Sequence, residues 1–196
     1  MRDTGFIRYR SREAEQALSA VEGAEELALA DGDLNNRVDI IGVQMASFWY
    51  LGLLDETERA AQRYIHACED IPWVRAQAHG MRYLAETAIY RRDFGTARKY
   101  LAQARRIAER HDDARGIMRL RMTESRLHLA AFELREAEDA ATDAEVSAIG
   151  LGLPSERAES SALRLAARRA RLLPPLRPFL RRRRSSRMTD EPVGGD

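Results

Sequence analysis

The sequence predicts an all-α protein, an array of antiparallel helix pairs with about eight helices, and three observations carry that expectation. The first is a period. The stretch RDFGTARKYLAQA (92–104) has a counterpart forty residues upstream, GLLDETERAAQRY (52–64), and another forty downstream, FELREAEDAATDA (132–144). Aligned without gaps, Leu54, Phe94 and Leu134 coincide, as do Thr57, Ala97 and Ala137, and Tyr64, Ala104 and Ala144. One step further upstream, REAEQALSAVEGA (12–24) keeps Ala17, Ala20 and Ala24 in register. A fixed ungapped period of this length is the mark of a helical repeat array. The second is composition: 44% hydrophobic and 32% charged residues over 196 positions suit a folded helical domain, or about five units of such an array. The third is punctuation, since runs of helical apolar spacing alternate with short breaks rich in Gly, Pro and Asp.

Taken in order, Ser11 is placed to cap a first helix reaching Ala30, with Ala14, Ala17, Leu18, Val21, Ala24, Leu27 and Ala28 on one face. Asp31-Gly32-Asp33 ends it, Gly32 being free to take a positive φ. A second helix over 36–51 carries Val38, Ile41, Met45, Phe48 and Trp49 inward. Gly52 makes the turn and Asp55 caps a third helix to Glu69. Ile71-Pro72 breaks the chain before a fourth helix over 73–91. The fifth spans 94–109, His111-Asp112-Asp113 connects, and the sixth spans 114–131, its apolar pattern interrupted by Arg121 and Glu124. The seventh covers 134–148. After Gly150–Pro154, Ser155 caps an eighth to Leu172, with Ala158 where a capping box needs Glu or Gln. Short connectors require antiparallel neighbours. Alanines at 97, 104, 137 and 144 let helices approach closely, while Leu54, Phe94 and Leu134 fill the gap between pairs. A buried Phe94→Ala would then cost about 3–5 kcal/mol.

The chain divides into an N-terminal arm (1–10), the repeat domain (11–172) and a basic, Pro-rich tail (173–196) expected to be disordered. Seven arginines against Asp190, Glu191 and Asp196 fall from Arg171 onward, so of 32 basic and 31 acidic residues the preceding part holds 25 and 28. That mildly acidic body gives no electrostatic reason to expect nucleic acid, except through Arg181–Arg184 in the tail. No apolar run approaches the ~20 residues that span a bilayer and no signal peptide opens the chain, which makes the cytoplasm the expected compartment and excludes a membrane partner. The single Cys68 excludes an internal disulfide and falls at a small-residue helix position. His66, His79, His111 and His128 show no metal-ligand spacing, Gly150-Leu151-Gly152 lacks the lysine of a phosphate loop, and no nucleophile motif appears. The sequence therefore predicts no enzyme, no catalytic residue, no cofactor and no metal.

The spacing in RDFGTARKYLAQA resembles the turn and second helix of a tetratricopeptide (TPR) repeat, in which a large apolar residue opens the second helix and Ala follows three positions on. Phe94 with Ala97 and Leu134 with Ala137 match that pair. Ala130 matches the small residue four positions before the opening one, where Tyr50 and Tyr90 stand in two other units. The resemblance covers 11–172 and departs in period, forty residues rather than about thirty-four. HEAT repeats share the longer period without the aromatic-x-x-Ala signature. Forty-residue arrays of this kind are similar to the sensor regions of bacterial signalling ATPases and LuxR-type regulators. The resemblance implies a right-handed superhelical solenoid and a bacterial regulatory or signalling setting. It also implies half-repeats at both ends, since 1–10 is too short to be a partner helix and Pro175 and Pro178 prevent one after 172.

In such a superhelix the first helix of each pair lines the concave surface, which sets Asp39, His79 and Arg119 in one row and Val43, Tyr83 and Thr123 in the next. Ala46, Glu86 and Arg126 form a third row, and Tyr50, Tyr90 and Ala130 a fourth. The expected partner-binding set is Asp39, His79, Arg82, Tyr83, Glu86, Arg119, Thr123 and Arg126, with aromatics for contact area and arginines for carboxylates of a protein or peptide. Exchanging charge by Glu86→Arg with Arg126→Glu should then abolish binding and leave helicity intact. Two rival functions are self-association through unpaired terminal helices, with Val21, Leu27, Leu163 and Leu165 exposed, and small-molecule sensing within a transcription regulator.

Overall fold

The computed structural model describes residues 3–69, 71 and 74–172, and those residues are all-helical apart from their connectors. The helices are α1 (Asp3–Ala20), α2 (Ala24–Ala30), α3 (Leu34–Leu51), α4 (Leu54–Ala67) and α5 (Val74–Tyr90), followed by α6 (Phe94–Arg110), α7 (Ala114–Ala130), α8 (Leu134–Gly150) and α9 (Pro154–Leu172). From α3 onward they open at 34, 54, 74, 94, 114, 134 and 154, so the forty-residue period consists of two equal strides.

One backbone device sets that stride. Residues 32, 52, 92, 112, 132 and 152 all have positive φ, between 51° and 75°. At each, the N–H bonds back three residues and the following N–H bonds back five: Arg92 to Ile89 (3.0 Å) and Asp93 to Ala88 (2.9 Å), or Gly152 to Ile149 (3.1 Å) and Leu153 to Ala148 (2.9 Å). This is the Schellman closure, which satisfies two orphan carbonyls of the ending helix. The next residue then opens the following helix. Asp33, Asp93 and Asp113 each accept from a backbone N–H three residues on, at 2.9–3.1 Å. Only glycine takes positive φ without strain; Arg92, Asp112 and Phe132 hold it at a cost of about 1 kcal/mol each, fixed by the paired hydrogen bonds.

Each helix from α3 packs on the next in the chain. The odd-numbered helices also touch in series, α3 on α5, α5 on α7 and α7 on α9, whereas α4, α6 and α8 do not touch one another. Ala97, Ala104, Ala137 and Ala144 have no accessible surface, so backbones meet closely there. Leu54, Phe94 and Leu134 each occupy the first position of their helix and are half-buried. The Phe94 ring lies under the Arg92 guanidinium at 5.3 Å. Half-burial brings the cost of Phe94→Ala below the range expected for a fully enclosed ring.

Where the other units have alanine, the first has Tyr64, buried to 8% exposure, and its ring is accommodated by glycine on both sides. A Cβ on Gly42 of α3 would come within 3.1 Å of the ring; one on Gly80 of α5 would meet the ring at 3.1 Å and Cγ1 of Ile65 at 2.7 Å. Helix propensity alone favours Gly80→Ala by roughly 1 kcal/mol. The clash acts in the opposite sense and is larger, so Gly80→Ala is expected to lower stability by about 1–3 kcal/mol in denaturant melts. A net gain in stability would contradict this packing.

Several boundaries differ from expectation. The first helix is two helices, because Gly23 takes φ 73° and interrupts the run after Ala20. α1 begins at Asp3, so residues expected in an arm belong to a helix, and both α1 and α2 pack on α3. Asp55 lies inside the first turn of α4, whose N-cap Leu53 makes no side-chain cap; a carboxylate there still favours the helix dipole. Ser155 is likewise inside α9, which opens on Pro154, the position where a missing N–H costs least. Arg121 and Glu124 interrupt the apolar pattern because they join an ion-pair network with Arg105 of α6 and Asp143 of α8. The expected tail, including Arg181–Arg184, lies outside the described residues.

Candidate functional site

The series α3, α5, α7 and α9 forms a groove of about 500 Å³, with Ala46, Trp49 and Tyr50 from α3, His79, Arg82 and Tyr83 from α5, Arg115, Arg119, Met122 and Arg126 from α7, and Ser155, Glu156 and Glu159 from α9. A second cavity of about 280 Å³ adjoins it between the first halves of α5 and α7 and shares His79, Arg82, Arg115 and Arg119.

At one end of the groove aromatic rings stack edge to face in sequence. Tyr64 meets His79 at 6.0 Å, His79 meets Tyr83 at 5.2 Å, Tyr83 meets Trp49 at 6.2 Å and Trp49 meets Tyr90 at 5.1 Å. Such contacts fix ring orientation and add to area burial. Burial first, then the charges of Arg82 and Arg119, push the His79 pKa down to about 3, so its imidazole is neutral at physiological pH. Burial, with nearby acidic groups, likewise raises the Tyr64 phenol. It pushes the Cys68 thiol up to about 11, which keeps that side chain a protonated core group.

Beneath the middle of the groove lies Glu86, 1% exposed. Its Oε1 accepts from Thr123 Oγ1 at 2.7 Å and from Arg126 Nη1 at 2.5 Å, with Arg82 Nη1 3.6 Å away. Its Oε2 accepts no hydrogen bond from any described residue. Arg126 reaches onward to Glu159 of α9. Burial lowers the Arg126 pKa, but the Glu86 and Glu159 carboxylates outweigh it and leave the guanidinium more basic than usual. Arg82 stacks on Tyr83 with Cζ 4.4 Å from the ring centre, and its Nε has no hydrogen-bond partner among the described residues. Arg115 and Arg119 share Oε1 of Glu156 at 3.1 and 3.2 Å.

These contacts follow the repeat. Polar pairs from Arg63–Glu25 to Arg126–Glu86 join residues 33 to 41 positions apart, one repeat unit to the next. Most are exposed and contribute little each. Glu86 differs because it is enclosed.

Of the eight residues expected to bind a partner, His79, Arg82, Tyr83, Arg119 and Arg126 line the groove. Thr123 and Glu86 are buried and bonded to each other rather than presented to a partner. The charge exchange at Glu86 and Arg126 therefore alters an internal ion pair, and a loss of binding in that variant would report on folding. Asp39 is exposed on α3 and is not part of the lining. The rows of equal register break there because α3 contributes from 46–50 while α5 contributes from 79–83, about two turns earlier in its unit. The Tyr64 ring between Gly42 and Gly80 spaces α3 from α5. Sequence reasoning did not place Trp49, Arg115, Glu156 and Glu159 in the groove. A forty-residue row through Arg119 extended once more would have reached Glu159.

Among the described residues no group of three His, Cys, Asp or Glu side chains is arranged to hold a metal ion, and no helix is long and apolar enough to cross a membrane. Comparison with models of known families gives no match, and no curated protein matches the sequence.

Proposed function

We propose that the chain is a TPR-like helical repeat module whose groove along α3, α5, α7 and α9 binds an extended protein or peptide segment, without chemistry of its own. The observation that carries this reading is the groove itself. One set of helices supplies aromatic surface at one end and arginines along its length, fixed by ion pairs before any partner arrives. A preformed groove of that kind loses little ordering entropy on binding. Peptide backbones and acidic side chains suit it, through aromatic contact area and guanidinium forks. The right-handed superhelix and the bacterial regulatory or signalling setting rest on the resemblance, and the cytoplasmic location rests on the sequence reading alone.

Selection from a displayed random-peptide library tests the reading. Enriched peptides are expected to be acidic with aromatic residues, and to lose at least tenfold in affinity for an Arg119→Glu chain that melts like the parent. No enrichment, or affinity indifferent to Arg119, would count against the groove. Self-association is a second reading, favoured by the exposure of Leu27 and Leu29 on α2 and Leu165 and Leu172 on α9. Leu163, expected to be exposed, packs against the core instead.

A further inference from the structure

We propose that the smaller cavity, between the first halves of α5 and α7, is a subsite for a phosphate-class dianion carried by the segment that occupies the groove. Four guanidiniums line it, Arg75 and Arg82 from α5 and Arg115 and Arg119 from α7, against the single carboxylate of Asp113. That carboxylate is already engaged as the cap of α7, accepting from the Gly116 N–H at 2.9 Å. Arg115 and Arg119 divide one oxygen of Glu156 between them, Arg82 lies 3.6 Å from the Glu86 carboxylate, and Arg75 is exposed on α5. His79, also in the wall, is neutral at physiological pH, so the positive charge facing the cavity is that of the arginines alone.

The surplus of positive charge decides the class of ligand. A carboxylate has two oxygens and one charge and is satisfied by a single guanidinium fork. Arginines on two facing helices, with spare donors on both, match a group with three terminal oxygens and about two charges, which describes a phosphate monoester. The cavity's 280 Å³ admits such a group, and its continuity with the groove through Arg82 and Arg119 lets the rest of a bound segment run toward Trp49. The proposal rests on the groove reading only for the carrier, not for the subsite.

The test titrates the intact chain with inorganic phosphate, sulfate and acetate at constant ionic strength, following the arginine Nε–Hε resonances by NMR. Phosphate and sulfate should each saturate one site and shift Arg82 and Arg119, while acetate does not saturate. An Arg75→Gln/Arg115→Gln chain, altered only at exposed side chains, should bind phosphate at least tenfold more weakly with an unchanged melting temperature. Absence of saturation, equal response to acetate, or unchanged binding in that variant overturns the subsite, even if unphosphorylated peptides still bind the groove. A groove-selected peptide bearing phosphoserine should bind at least tenfold tighter than its unmodified form, and equal affinity overturns the assignment of the carrier.

Discussion

Glu86→Gln is expected to lower folding stability by about 3 kcal/mol, measured by denaturant unfolding at neutral pH. The carboxylate is enclosed between α5 and α7, where it receives Thr123 and Arg126 and lies 3.6 Å from Arg82. Removing one partner of a buried ion pair costs about 3–5 kcal/mol, because the remaining charge stays out of water without compensation. The lower end of that range applies here, since Arg126 keeps Glu159. The pair as a whole need not stabilise the fold by a similar amount. Replacing both members with apolar groups, as in Glu86→Leu with Arg126→Met, should recover most of the loss, because neither charge then has to be desolvated. If the single substitution were as mild as an exposed ion-pair change, below about 1 kcal/mol, the enclosed position of Glu86 would be contradicted.

The second large effect is an acid sensitivity set by His79. Its pKa is near 6.5 when the chain is unfolded and about 3 when folded, through burial and then through Arg82 and Arg119. Between those values the unfolded chain binds one proton more than the folded one, so stability falls as pH falls, and above 6.5 the group adds no slope. Across that interval every step of one pH unit removes roughly 1.4 kcal/mol, a loss of about 2–3 kcal/mol by pH 4.5. Glu133, Glu145 and Glu156 also have lowered pKa values and contribute acid sensitivity of their own, but from their ordinary carboxylate range downward. The upper part of that interval, from pH 6.5 to about 5.5, therefore isolates the imidazole. His79→Gln should flatten the stability profile there, and an unchanged slope would show that His79 is solvated.

The period was legible in the residues because equal spacing of Leu54, Phe94 and Leu134, with alanines three and ten positions after the latter two, reflects equal backbone geometry. Helix existence followed, and most boundaries fell within a few residues. What the residues concealed has a physical reason in each case. The Schellman closures at 92, 112 and 132 use Arg, Asp and Phe at positive φ, so no glycine marked them. Gly23 sat inside a continuous apolar pattern, and only the backbone shows that it breaks the helix. The groove was legible as rows of residues on the odd helices, but depth within a row was not. Glu86 and Arg126 are equivalent in register, yet one is enclosed and the other reaches the lining. Asp39 departs from the lining because α3 meets the groove at 46–50, a placement that pairwise spacing does not encode.

Whether a partner lies along the odd-numbered helices is measured directly by a crystal structure of the chain with a library-selected peptide. Continuous peptide density is expected beside Trp49, Arg82 and Arg119. Density seated instead on the outward faces of α4, α6 and α8, with the groove empty, would refute the placement of the partner.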